Sequence, residues 1–331
     1  MGKLATVSVA HFCVDLCCAA LFFGWLGREA SWWLYMVLYN ACAFALQLPL
    51  GLLADAADRN MALAALGCAL VAAGFLLIPS PLSAALITGL GNGMFHVGAG
   101  REVLEGSDRA TPLGVFVSPG AVGLYVGTAC APWFSLHGWT LPLLMAIVGA
   151  GLLLTVKGNG SIHKDMPLSL ALPKGGGVSL LCLFAVVALR SLLGGAFGPG
   201  ATQVPDIVPV LCLALGKAAG GFLGDWLGLR QTAILSLLCA AALLLLPRGY
   251  VTLVALFLFN MTMPLTLFEA ARLLPKAKGT AFGLLTCALF VGMVPRFLGL
   301  SLDLPALWWA ALVLLSLGLL LMGLKREAAH G

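Results

Sequence analysis

The sequence predicts an all-α polytopic membrane protein, about 12 transmembrane helices in two pseudo-symmetric six-helix bundles, and composition, recurring apolar stretches and an internal repeat predict it. Of 331 residues 61% are hydrophobic and 9% charged, too apolar for a soluble domain whose surface meets water. Hydrocarbon about 30 Å thick takes roughly 20 apolar residues in a helix, and stretches of that kind recur along nearly the whole chain. Lipid satisfies no backbone hydrogen bonds, so only helices or closed barrels cross it. The stretches are uniformly apolar and rich in Leu and Ala, unlike the alternating pattern of a barrel strand.

With Gly, Pro and charged clusters as punctuation, the first set of spans is expected near 4–26, 31–53, 61–78, 82–100, 111–133 and 138–156. The second set is expected near 178–197, 205–224, 230–246, 249–268, 280–300 and 304–324. The polar, Gly-rich stretch from Lys157 to Gly177 reads as a cytoplasmic linker between an N-terminal bundle (1–156) and a C-terminal bundle (178–331). The first span begins near Leu4 without a long basic leader or a small-residue cleavage site, so it reads as a retained helix. Lys3, Arg59, Arg101, Arg109, Lys157, Lys164, Lys174, Arg230, Arg272, Lys276, Lys278, Lys325 and Arg326 fall on one side, against Arg28 and Arg248 on the other. The bias places both termini and the linker in the cytoplasm. Ten cysteines lie almost entirely inside apolar segments with no C-x-x-C pair, which argues against a disulfide framework or a zinc site. The net charge of +5 sits in short loops where topology explains it, and gives no sign of nucleic acid.

The repeat supports two halves independently of hydropathy. Gly51-Leu-Leu-Ala-Asp55 leaves the second span and Gly221-Phe-Leu-Gly-Asp225 leaves the eighth, 170 positions later. Thr111-Pro-Leu-Gly114 matches Thr280-Ala-Phe-Gly283, followed by Gly123 and Gly292, at an offset of 169. Two anchors at nearly one offset indicate duplication. The turn containing Gly51, Leu53, Ala54, Asp55 and Arg59 resembles the loop G-x-L-A-D-R-x-G-R-R between helices two and three of the major facilitator superfamily, departing from it at Ala56, Asp58 and Asn60. Gly221, Leu223, Asp225, Gly228 and Arg230 repeat the pattern, departing at Trp226 and Leu229. A Gly lets two helix ends approach closely, and an Asp just past it can pair with Arg or with a neighbouring helix N-terminus. Such a contact holds one gate shut; the plainer reading is a solvated turn.

A narrower resemblance lies in His11-Phe-Cys-Val-Asp15, Gly93-Met-Phe-His96 and Ser118-Pro-Gly120-Ala-Val-Gly123-Leu-Tyr-Val-Gly127. These look like the fosmidomycin-resistance branch, with Val97 and Thr128 standing where that branch has Pro. The resemblance implies a proton-driven exporter of drugs and metabolites in a bacterial inner membrane.

An ionisable side chain at the bilayer centre costs roughly 2.5–3.5 kcal/mol, so each needs a reason. Asp15 lies about three turns into span one with His11 one turn before it on the same face. A carboxyl in low dielectric suits a group that takes and releases a proton each cycle, and imidazole at His11 or His96 titrates near neutral pH. The alternatives are a helix-stitching role for Asp15, an interfacial polar residue at His11 and a packing histidine at His96. Arg190 lies roughly 18 Å into span seven, where it binds a substrate anion bidentately, pairs with Asp15, or does both in turn. Arg296, beside Pro295, is a second cavity candidate or an outer gate. Lys217 is expected to reach the cytoplasmic surface. Glu269 and Arg272, and likewise Arg101 and Glu102, read as local ion pairs or inner gate contacts. Gly120, Gly123 and Gly127 line one side of span five, where small residues let helices cross closely, as in the family's antiporter motif. Trp32-Trp33 and Trp308-Trp309 read as interfacial anchors.

These features predict a secondary transporter working by alternating access, coupled to protons through Asp15, exporting a small anionic or zwitterionic organic compound or drug. Its partners are that substrate, protons and lipids; it is expected to be monomeric and to need no cofactor or metal. Uptake of an organic anion uses the same residues, and a non-transporting scaffold or sensor is a further alternative. No Walker motif points to ATP, and no nucleophile or metal-ligand constellation points to an intramembrane enzyme.

Overall fold

The computed structural model describes residues 2–155, 168–194, 206–247, 249–300 and 304–324. Lys157, Lys164, Arg248, Lys325, Arg326 and most of the expected linker lie outside the described residues. Every regular element within them is helical. The first part of the chain forms α1 (Gly2–Gly24), α2 (Trp32–Asn40), α3 (Gln47–Ala57), α4 (Asn60–Leu76), α5 (Pro81–Glu105), α6 (Thr111–Val117), α7 (Pro119–Ala129), α8 (Ala131–Leu136) and α9 (Thr140–Leu154). After the expected linker come α10 (Gly176–Leu193), α11 (Ile207–Trp226), α12 (Leu229–Leu244), α13 (Tyr250–Asn260), α14 (Thr262–Leu273), α15 (Lys278–Phe297) and α16 (Ala306–Gly323).

Among the described residues eight helical stretches are long and apolar enough to cross a membrane. The other expected spans are helical too, but α4, α9 and α12 are shorter. α5 departs for a different reason: it is long but carries Asn92, His96 and a run of glycines, and most of its side chains are buried against other helices. A helix that meets protein rather than lipid has no need of an apolar surface all round.

Two expected spans are interrupted where the sequence dictates it. A π-helical turn at Ala41–Ala45 joins α2 to α3, a local widening that recurs at functional sites in helices. Pro119 splits span five into α6 and α7 at Ser118, because proline has no N–H to continue the ladder. The carbonyls that end α6 are left to other donors, and this break builds part of the site. α7 packs along α1, and a Cβ at Gly123 or Gly127 would meet the α1 backbone at Phe12 or Leu16. Close helix crossing of that kind needs small residues. Trp32, Trp33 and Trp308 are exposed, whereas Trp309 is 5% exposed and belongs to the core rather than to an interfacial belt.

Candidate functional site

Two groups of polar residues stand out, one where helix ends meet and one deep in α1. At the helix ends the repeated motifs dock crosswise. The Asp55 carboxylate, at the end of α3, accepts from Gly279 N (2.9 Å), Thr280 N (2.7 Å) and Thr280 Oγ1 (2.7 Å) at the start of α15. Asp225, at the end of α11, accepts from Ala110 N (2.7 Å) and Thr111 N (2.8 Å), and from Thr111 Oγ1, at the start of α6. Each carboxylate thus fills the orphan donors of a helix N-terminus and meets the positive end of its dipole. Gly51 and Gly221 make this possible: a Cβ at Gly51 would meet the Gly279 and Thr280 backbone, and one at Gly221 would lie 2.8 Å from Ala110 O.

The two docks are not equal. Arg101 Nε lies 2.9 Å from Asp55 Oδ1, with the arginine and aspartate side chains 7% and 1% exposed. The same guanidinium reaches Asp58 (3.0 Å), Glu105 (2.7 Å), Ala54 O (2.8 Å) and Asn60 Oδ1 (2.5 Å). Asp58 ends α3 at φ 48°, a left-handed position that Asp tolerates better than most residues. Among the described residues Asp225 has only Arg109 as a cationic partner, at 3.6 Å and 72% exposed. Arg59 is exposed with no polar side-chain partner among the described residues, and Arg230 turns away to donate to Leu321 O (3.3 Å). Arg101 and Glu102 do not pair with each other: Glu102 binds Lys3 (2.5 Å) and Asn60 (3.2 Å). Arg272 does pair with Glu269, at 3.2 Å.

Deep in α1, His11, Asp15 and His96 converge. His11 Nε2 lies 3.2 Å from Asp15 Oδ2, His96 Nε2 lies 3.6 Å from Asp15 Oδ1, and the two Nε2 atoms are 2.9 Å apart. Asn92, one turn before His96 on α5, donates to Asp15 Oδ1 at 3.2 Å. Asp15 keeps 20% of its side-chain surface accessible, so the carboxylate can be reached. The donor atoms of the three residues lie within 4.8 Å of one another. The Nε2 pair at 2.9 Å is nonetheless closer than the about 3.3 Å edge that two nitrogens about 2.0 Å from a tetrahedral metal would span. The spacing is that of a hydrogen bond.

The break at Ser118 ties this group to the other part of the chain. Ser118 Oγ donates to Gly114 O (2.6 Å), His11 Nδ1 is bound to Phe116 O (2.7 Å), and Lys217 Nζ on α11 donates to Val117 O (3.3 Å). A histidine and a lysine therefore hang on consecutive carbonyls. Lys217, expected at the surface from its position one turn before Gly221, is instead half-buried, with its ammonium turned onto Val117 O and near Asp15, His96 and Arg190. Arg190, 7% exposed, donates to Thr266 Oγ1 (3.4 Å) and has no carboxylate partner among the described residues. Asp15 and Arg190 are thus not an ion pair in this state. Arg296 is exposed in the last turn of α15, apart from both groups. Gly120 is more than a packing residue, because a Cβ there would run into His11 Nε2 and Asp15 Oδ2.

A scan of protein-family models and a search of curated proteins gave no match to this chain. Solved structures did. The E. coli fucose:proton symporter, a Major Facilitator Superfamily transporter, matches at TM-score 0.66 and 14% identity, covering 98% of each chain. The chain shares the fold of this Major Facilitator Superfamily transporter. The human organic anion transporter MFSD10 (TETRAN) matches at TM-score 0.62 and 18% identity over 96% of this chain and 99% of its own. A bacterial homologue of the iron transporter ferroportin, in an outward-facing state, matches at TM-score 0.64 and 15% identity over 97% of both chains. Sequence reasoning missed Asn92 and Lys217 as site residues. Asn92 carried a signal, being an amide one turn before His96 in an apolar span.

Proposed function

We propose that this chain is a secondary active transporter that works by alternating access between an N-terminal bundle (1–156) and a C-terminal bundle (178–331) of a bacterial inner membrane. The solute is a small organic anion or zwitterion, and its movement is coupled to protons through Asp15, His11 and His96. The observation that carries the anion reading is the pair of cations Arg190 and Lys217, one buried and one half-buried, with no acidic partner within bonding distance among the described residues. A buried guanidinium left without a counter-ion is costly, and a bound carboxylate or other anion supplies both charge and bidentate geometry. The matched solved structures include a proton symporter and an organic anion transporter, which fits this class of cargo. Asp55 and Asp225, each docked on a helix N-terminus of the opposite bundle, serve as two inner gates. Export is the proposed direction, on the resemblance of the His11–Asp15, His96 and Ser118–Gly127 segments to the fosmidomycin-resistance branch.

The test is flux in proteoliposomes over a panel of radiolabelled organic anions, zwitterions and cations. Anions or zwitterions are expected to move, and Arg190→Ala is expected to reduce their flux at least about tenfold while Arg190→Lys, which keeps charge but not the fork, restores part of it. Preferential transport of cations, or full anion flux in Arg190→Ala, would refute the anion assignment.

A further inference from the structure

The hydrogen bonds around the two imidazoles leave few choices about where protons are. His11 Nδ1 is 2.7 Å from Phe116 O, and His96 Nδ1 is 2.8 Å from Asn92 O. A carbonyl oxygen only accepts, so each Nδ1 carries a hydrogen and donates it. In a neutral imidazole the other nitrogen is then a bare acceptor. Yet the two Nε2 atoms face one another at 2.9 Å, with Asp15 oxygens 3.2 and 3.6 Å away.

Three loadings can be compared. With no added proton, two nitrogen lone pairs and a carboxylate confront one another in a largely enclosed space, and nothing donates between the rings. With two added protons, two N–H donors and two positive charges meet across a contact too short for both, beside the Lys217 ammonium. With one proton, an N–H···N bond closes between the rings and the single positive charge lies against the Asp15 carboxylate. The other groups around the cluster do not change this balance. Asn92 on α5 donates to Asp15 Oδ1 and to Cys18 Sγ on α1, Tyr39 on α2 is a neutral phenol nearby, and Lys217 on α11 adds positive charge, with Arg190 on α10 behind it.

We infer that His11 and His96 hold a single proton between their Nε2 atoms, with Asp15 as its counter-ion, so that the cluster loads and unloads one proton as a unit. This rests on the proton-coupled reading above and gives it a carrier and a count. His96 is as necessary to the carrier as Asp15, and the carbonyls of Phe116 and Asn92 are positioning groups that set both tautomers. Gly120 leaves the space in which the three side chains meet.

The experiment is solid-state NMR of the full chain in lipid bilayers with 15N-labelled histidine, which needs no knowledge of the solute. The chain has five histidines, so assignment by single substitution is tractable. In the parent, both Nδ1 atoms of the pair are expected to be protonated, with one hydrogen on the two Nε2 atoms and a scalar 15N–15N coupling across the bond. His96→Gln and Asp15→Asn are expected to abolish the coupling, and His137→Gln, on a half-buried ring stacked on Trp133 away from the pair, to leave it in place. A parent spectrum with both Nε2 atoms bare, both protonated, or uncoupled at every pH where the protein stays folded overturns the inference, whatever the variants do. Because the spectrum is read without flux, that result leaves proton-coupled transport to stand or fall by its own assay.

Discussion

Replacing Asp55 by Asn is expected to open the inner side far more than replacing Asp225 by Asn, although the two residues are copies of one motif. Both carboxylates accept from two backbone N–H groups and a threonine hydroxyl, so the loss of charge-assisted bonds is similar in the two variants. The difference is the cation. Asp55 and Arg101 are 1% and 7% exposed, and removing one member of a buried pair costs about 3–5 kcal/mol. Arg101 retains Asp58 and Glu105, which favours the lower end of that range. Arg109 beside Asp225 is 72% exposed, and exposed pairs contribute roughly 0–1 kcal/mol. The surplus for Asp55→Asn is about 2 kcal/mol, or roughly thirtyfold in the ratio of inner-open to inner-closed molecules. Spin labels at the exposed positions Ala57 and Lys276, after removal of the exposed Cys130 and Cys239, report that ratio by pulsed EPR distances. An equal or larger opening in Asp225→Asn would refute the argument that the buried arginine makes the first dock the stronger.

Gly120→Ala places a methyl against His11 Nε2 and Asp15 Oδ2; overpacking of this kind costs about 1–3 kcal/mol, and proton-driven flux is expected to fall at least about tenfold in protein that still elutes as a single species. Arg101→Lys keeps the charge but loses the fork that reaches Ala54, Asn60, Asp58 and Glu105. It is expected to destabilise the protein by about 2 kcal/mol, seen as a lower thermal midpoint in detergent; an unchanged midpoint would show that a point charge is sufficient there.

Much of this arrangement is legible in the sequence, and the limits have physical causes. Apolar stretches announce themselves because lipid imposes one solution on the backbone, and the recurring Gly–Asp and Thr–Gly anchors are readable at a nearly constant offset. What they do not show is that Asp55 docks on the second Thr–Gly segment and Asp225 on the first, since that exchange is a property of how the parts face each other. Depth read by counting along a helix fails where the chain breaks. Counting back from Gly221 puts Lys217 at the surface, whereas its ammonium donates to Val117 O beside the break before Pro119. Partner choice is hidden in the same way: Arg101 and Glu102 are neighbours in sequence and point to different acceptors and donors. His11 and Asp15 could be paired from i,i+4 spacing on one helix face, whereas the meeting of His11 with His96 depends on the crossing of α1 and α5.

The most direct measurement of the central claim is flux in liposomes under an imposed pH gradient, comparing the parent with Asp15→Asn over the anion panel. If Asp15, His11 and His96 carry the coupling proton, the parent moves an anion against its concentration gradient and Asp15→Asn does not. Equal gradient-driven accumulation by the two proteins would contradict the account.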